Sequence, residues 1–147
     1  MKIYLDNCMF NRPFDDQNYI RIQLETEAKL HIQEKIKNNE FELIWSYILD
    51  FENNQNPFNE RRSAIQKWKD IASTDIEENQ RLLQKAHEVA NLGVKSKDAL
   101  HIASAIAGEA VCFLTTDDKL QRKLADFDEL RVLNPMDFIR EYDDINN

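Results

Sequence analysis

Lys2-Ile3-Tyr4-Leu5-Asp6 constrains this chain more than any other stretch. Ile3, Tyr4 and Leu5 are consecutive β-favouring apolar residues, the pattern of a strand buried on both faces in the middle of a parallel sheet. Asp6 follows with no spacer. In an open α/β sheet, ligands bind outside the carboxyl ends of the strands, so a carboxylate at that point stands where chemistry takes place. Because the strand starts at the second residue, no targeting segment is expected before it.

The rest of the chain supplies partners for that strand. Residues 7 to 17 mix Asn, Pro and Asp with aromatics and predict a structured loop that Phe10 and Phe14 pin to the core. Arg12 in this loop either reaches a phosphate or pairs with Asp15 or Asp16. Residues 18 to 38 predict a long helix, with Ile20, Leu24, Ala28, Ile32 and Ile36 as its apolar row. Phe41 to Trp45 predicts a second strand, parallel to the first through a right-handed crossover. Ser46 then caps a helix carrying Asp50 and Glu52.

Asn53 to Pro57 breaks that helix. Residues 58 to 70 and 75 to 91 predict two further helices with no strand between them, a helical hairpin inserted into an alternating fold. Gly93 stops the second one. Ser96 to Ala107 is apolar or small nearly all round and predicts a buried helix. A third strand over 110–114 ends at Thr115-Thr116-Asp117-Asp118, which opens a helix to about Ala125. Leu130 to Leu133 predicts a fourth strand, and Pro135 starts a last helix. Residues 141 to 147 predict a fraying acidic tail.

With 147 residues, a single domain over 1–147 is expected. No apolar run approaches the roughly 20 residues of a membrane span. Cys8 and Cys112 form no CxxC pair, which fits a reducing cytoplasm. The net charge of −8 argues against broad, non-specific duplex binding, which rests on neutralising phosphates. Only 2 glycines occur, so no Gly-rich phosphate loop can form. The three histidines lack zinc-site spacing, and there is no GxSxG.

Acids recur at comparable places. Asp6 follows the first strand, Asp117 and Asp118 follow the third, Asp98 lies in the first turn of the buried helix, and Glu52 or Asp50 follows the second strand. On a helix two positions differ by about 200°, so Glu52 and Asp50 cannot share a face, and periodicity does not choose between them. Each acid also has a plain structural role open to it, as a cap, as a dipole residue or on a solvated face. Gathered at one edge, however, these carboxylates disfavour joint ionisation. A hard divalent cation with oxygen ligands, Mg²⁺ or Mn²⁺, resolves that. Such a cation activates water and offsets charge on a phosphodiester. His101, three residues past Asp98, either orients a carboxylate or is a packed core histidine. Cys8 and Cys112 are most simply small buried residues. A phosphatase of the haloacid dehalogenase type also begins with a strand and an aspartate, but it needs a second aspartate where this chain has Cys8.

The ordered set resembles the PIN domain family. It comprises the strand ending in Asp6, the Ser46-to-Glu52 helix start, Lys97-Asp98-Ala99-Leu100-His101-Ile102-Ala103-Ser104-Ala105, and Leu114-Thr115-Thr116-Asp117-Asp118. The resemblance implies a three-layer α/β/α fold with a central, mostly parallel sheet. It also implies an endoribonuclease dependent on Mg²⁺ or Mn²⁺ and acting on single-stranded RNA. Asp6, Glu52, Asp98 and Asp117 match the family's catalytic acids, and the interval from Ser46 favours Glu52 over Asp50. Asp6, Asp98 and Asp117 are the expected metal ligands. Asn7, Thr115, Thr116 and Asp118 are expected to support them, and Arg12, Lys97 and Lys119 to meet phosphate. Lys119 stands where the family often has a further acid. Many small relatives are toxins held inactive by an antitoxin protein, and many dimerise. The competing expectation is a PIN-like module that binds protein or RNA without cleaving it.

Overall fold

The computed structural model describes residues 1–146. Lys2–Leu5 forms β1, and Ile3, Tyr4 and Leu5 are each fully buried. Such burial is possible because β1 has a strand on either side. It pairs with β2 (Glu42–Ser46) through Tyr4↔Ile44 and with β4 (Cys112–Leu114) through Tyr4↔Phe113. β3 (Thr74–Ile76) extends the sheet beyond β2, and β5 (Arg131–Leu133) extends it beyond β4. The five strands lie in the order β3-β2-β1-β4-β5, and every pairing is parallel. All carboxyl ends therefore share one edge. The chain leaves β1 for one side of the sheet and later returns to β4 on the other, so the reversal of strand order falls between β1 and β4.

Helices connect the strands. α1 (Asn7–Asn11), a 3₁₀ turn (Arg12–Phe14) and α2 (Ile20–Lys37) join β1 to β2. α3 (Tyr47–Asn54) and α4 (Asn59–Ile71) join β2 to β3. α5 (Gln80–Ala90) and α6 (Ser96–Ala107) lead to β4, α7 (Asp118–Lys123) leads to β5, and α8 (Pro135–Asn146) ends the described chain. The core gathers β1, β2 and β4 side chains with Phe10, Ile32, Ile65, Leu82, Ala99 and Ile102 from the helices. Among the described residues no helix is long and apolar enough to cross a membrane.

Several expectations are corrected. β3 lies between α4 and α5, where an uninterrupted helical hairpin was expected. It is a three-residue edge strand with no fully buried side chain, so it leaves almost no alternation to detect. The sheet is wholly parallel. α8 spans Pro135–Asn146, and the stretch expected to fray reaches Asn147, which lies outside the described residues. Phe14 does not pin its loop to the core, since it is 43% exposed, whereas Phe10 is buried.

The apolar row of α2 is the clearest geometric miss. Steps of four advance about 400° around a helix, so each drifts about 40° and the row from Ile20 to Ile36 winds across it. Ile32 and Ile36 are buried, but Ile20 is 74% exposed. The helix buries Glu25 and Lys29 along with Ala28, Ile32 and Ile36. Glu25 meets Arg12, Arg21 and the Asn134 amide. Lys29 Nζ lies 5.1 Å from the Trp68 ring and 5.6 Å from that of Phe10. With its amide oxygen turned inward, Gln33 accepts from both Lys29 Nζ and Trp68 Nε1. Burial pulls the Lys29 ammonium down to about 7, with Lys37 adding repulsion.

Candidate active site

Asp6 caps the helix that follows β1. It is only 6% exposed, and its carboxylate accepts from the Asn7 backbone N–H at 2.8 Å and from the Thr115 hydroxyl at 2.8 Å. The Cys8 thiol also donates to it at 3.4 Å. Cys8 is thus more than a small filler. It touches Asp6 and Thr115 and accepts from the Thr116 N–H, so it ties the two strand ends together. Burial pushes its thiol up to about 12, with the Asp6 charge assisting.

Thr115, the residue after β4, is the matching element on the neighbouring strand end. Its hydroxyl donates to Asp6 and accepts from the Asp117 N–H at 3.1 Å. Asp117 in turn caps α7 by accepting from the Lys119 and Leu120 N–H groups. One hydroxyl therefore links the Asp6 carboxylate to the backbone of Asp117, at the point where strand order reverses.

Asp98 enters from α6. It is half-buried in the first turn, and among the described residues it makes no hydrogen bond or ion pair with another side chain. Burial, then the charges of Asp6 and Asp117, push its carboxyl up to about 6, with Glu52 adding to this and His101 partly offsetting it. The charges of Asp6, Asp117 and Glu52 thus all act on Asp98.

Glu52 comes from α3, which Ser46 caps by accepting from the Leu49 N–H. Its Oε1 is hydrogen-bonded to His101 Nε2. Asp50 faces elsewhere, accepting from Trp45 Nε1 at 2.9 Å and Lys69 Nζ at 3.0 Å. Periodicity left these two acids level, and the structure separates them.

Not every expected residue joins this group. Arg12 pairs with Asp15 and Glu25 and donates to the Thr116 hydroxyl, so it braces the loop. Thr116 serves as its acceptor. Asp118 forms a two-point ion pair with Arg21 at 2.6 and 2.7 Å, outside the acidic group. Asn7 contributes its backbone N–H to Asp6, while its side chain meets Asn11. Lys97 and Lys119 are exposed and adjoin Asp98 and Asp117 in sequence. A cleft of about 680 Å³ lies between α5 and the end of α6 and is lined by none of the four acids.

Among the described residues, no three His, Cys, Asp or Glu side chains close into a metal-enclosing cluster. The donor chemistry still fits one kind of ion. Mg²⁺ binds through one or two carboxylates and keeps several waters, so it requires no cage of protein ligands. Asp98, half-buried beside other negative charge with no cation of its own, is the residue such an ion would satisfy.

Fold and edge together define a class: a PIN-like α/β/α chain, as the sequence motifs implied, with carboxylates at its strand reversal. Solved structures share this fold. VapBC-1 from nontypeable Haemophilus influenzae superposes with a TM-score of 0.58 at 17% identity, over 92% of this chain and 99% of that one. VapBC2 from Rickettsia felis, bound to a DNA fragment from its promoter, gives 0.58 at 15% identity, over 91% and 98%. DNA-bound VapBC from Salmonella typhimurium gives 0.59 at 15% identity, over 92% and 98%. No protein-family model and no curated protein sequence matches the chain.

Proposed function

We propose that the chain is an endoribonuclease that hydrolyses phosphodiester bonds of single-stranded RNA with Mg²⁺ or Mn²⁺. The observation that carries this reading is the placement of Asp6 after β1, Asp117 after β4 and Asp98 in the first turn of α6, at the edge where strand order reverses. Asp6, Asp98 and Asp117 would hold the cation, directly or through water. A divalent ion there lowers the pKa of attacking water and offsets negative charge building on the phosphodiester.

The protein's own groups have distinct tasks. Thr115 O–H, Cys8 S–H and Asn7 N–H fix the Asp6 carboxylate, so it needs no reorganisation when substrate arrives. His101 occupies Glu52 Oε1, leaving Oε2 with no protein donor among the described residues, available to orient the attacking water. Lys97 and Lys119 flank the acids in sequence and would meet phosphate, which an acidic chain otherwise repels. The reaction would take place in the cytoplasm, where single-stranded RNA is accessible.

Cleavage of defined single-stranded RNAs with and without Mg²⁺ tests the reading. Asp6→Asn should retain the fold and lose at least about 100-fold in rate. Cleavage by Asp6→Asn at the wild-type rate would overturn the assignment. The lack of a closed three-residue cluster favours one competing reading, a PIN-like module that binds RNA or protein without cleaving. Saturable RNA binding with no Mn²⁺-dependent product would support that instead. The VapBC assemblies that share the fold, together with the sequence resemblance, support a toxin held by an antitoxin protein. Homodimerisation belongs to the same reading.

A further inference from the structure

His101 is fully buried on a helix whose other inward residues are small or apolar. Burying an imidazole is costly unless both ring nitrogens find partners. Here both do. Nδ1 meets the Tyr4 hydroxyl at 2.6 Å, and Nε2 meets Glu52 Oε1. The Tyr4 hydroxyl also meets Ser46 Oγ at 2.6 Å, and Ser46 Oγ accepts from the Leu49 N–H. One chain of hydrogen bonds therefore runs from the cap of α3, through the centre of β1, to α6, and back to α3 at Glu52.

Proton counting gives this chain a direction. With neutral imidazole, Ser46 donates to Tyr4, Tyr4 donates to Nδ1, and Nε2 carries the ring proton and donates to Glu52. With imidazolium, Nδ1–H donates to the Tyr4 oxygen and Tyr4 donates to Ser46. In both states Nε2–H points at Glu52, so the contact persists whatever the ring's charge. Ser46, Tyr4 and His101 are each fully buried, while the Glu52 side chain keeps 21% of its surface exposed. Only the last member of the chain reaches solvent, and it does so at the edge where Asp6 and Asp98 stand.

We infer that His101 is a positioning residue for Glu52, holding Oε1 by an Nε2–H donor that Tyr4 and Ser46 orient from within the sheet. A packing histidine needs only its volume and any two partners. A positioning histidine needs a donor at Nε2 specifically. The inference rests on the nuclease reading, because Glu52 must act for its orientation to matter. Partners that orient functional groups of this kind are worth about 10- to 100-fold when removed.

Three variants separate the roles. In His101→Gln the amide N–H₂ reaches the Nε2 position and can still donate to Glu52. In His101→Asn it reaches only Nδ1, facing Tyr4. His101→Leu offers no donor. Steady-state cleavage of a fluorogenic single-stranded RNA at saturating Mn²⁺ gives kcat and KM, and circular dichroism checks folding at the assay temperature. The expected result is a kcat lower by about 10- to 100-fold for Asn and Leu, with KM within about 3-fold of wild type, and recovery of most of the loss by Gln. Glu52→Gln should lose at least as much as His101→Leu. Folded Leu or Asn variants with wild-type kcat would overturn the positioning role, as would equal losses in all three. Asp6→Asn runs alongside. If wild type cleaves no faster than Asp6→Asn, the nuclease reading itself falls and carries the positioning role with it. If wild type cleaves and His101→Leu matches it, only the positioning role falls.

Discussion

Asp98 shows how a half-buried carboxylate beside other acids weakens the protein that carries it. Its carboxyl is raised from an ordinary 3.8 to about 6, so between those values the folded state binds more protons than the unfolded one. Stability therefore falls as pH rises through that window, and the loss is complete above about 6. Half-exposure screens the effect, so it amounts to no more than about 1 kcal/mol at neutral pH. Asp98→Asn should raise the metal-free unfolding midpoint at pH 7 by up to roughly 2–4 °C. It should also flatten the decline between pH 4 and 6, and cost cleavage activity. An unchanged pH slope in the variant would show that Asp98 is not under this electrostatic pressure. At this scale the sequence was partly legible. Asp6, Asp98 and Asp117 stood out because each follows a strand or opens a buried helix. The supporting Cys8 and the Tyr4–His101 contact did not, since partners 97 residues apart leave no local pattern. The i+3 spacing of His101 from Asp98 was the one available sign, and it suited a packed core histidine equally well.

Elements with strong periodic or terminal signals were read nearly to the residue. Ser96–Ala107 has a small residue at most inward positions and a glycine at its end. That glycine does more than stop the helix. A Cβ at Gly108 would lie 2.9 Å from Ile44 Cγ2, so the end of α6 approaches β2 closely because position 108 has no side chain. Ile44 is fully buried and cannot swing clear. Gly108→Ala should thus destabilise by about 1–3 kcal/mol through overpacking, measured as a lower urea midpoint with unchanged m-value. A midpoint equal to wild type would mean that the close approach relaxes without cost. One element and one helix face were not legible. β3 is too short to show a period, and α2, expected as a helix over 18–38, buries Glu25 and Lys29 through tertiary partners that helix periodicity does not encode. Asp118 and Arg12 lie in ion pairs that were not legible for a related reason. Each satisfies its charge within an ion pair built by α2, which sequence spacing could not reveal.

Across the whole molecule, a wholly parallel sheet puts every strand's carboxyl end on one edge, and the reversal of strand order opens that edge between β1 and β4. Asp6 and Asp117 stand on the two sides of this opening. α6 starts at this edge with Asp98 in its first turn, and α3 brings Glu52 under the hold of His101. With a net charge of −8, the chain carries more acids than bases, and that group adds to the excess. The most direct measurement is isothermal titration of the metal-free protein with Mn²⁺, repeated with Asp6→Asn and Asp98→Asn. A shared carboxylate site predicts a saturable heat in wild type that each substitution removes or weakens at least about 10-fold. No saturable heat in wild type, or the same heat in all three proteins, would contradict it.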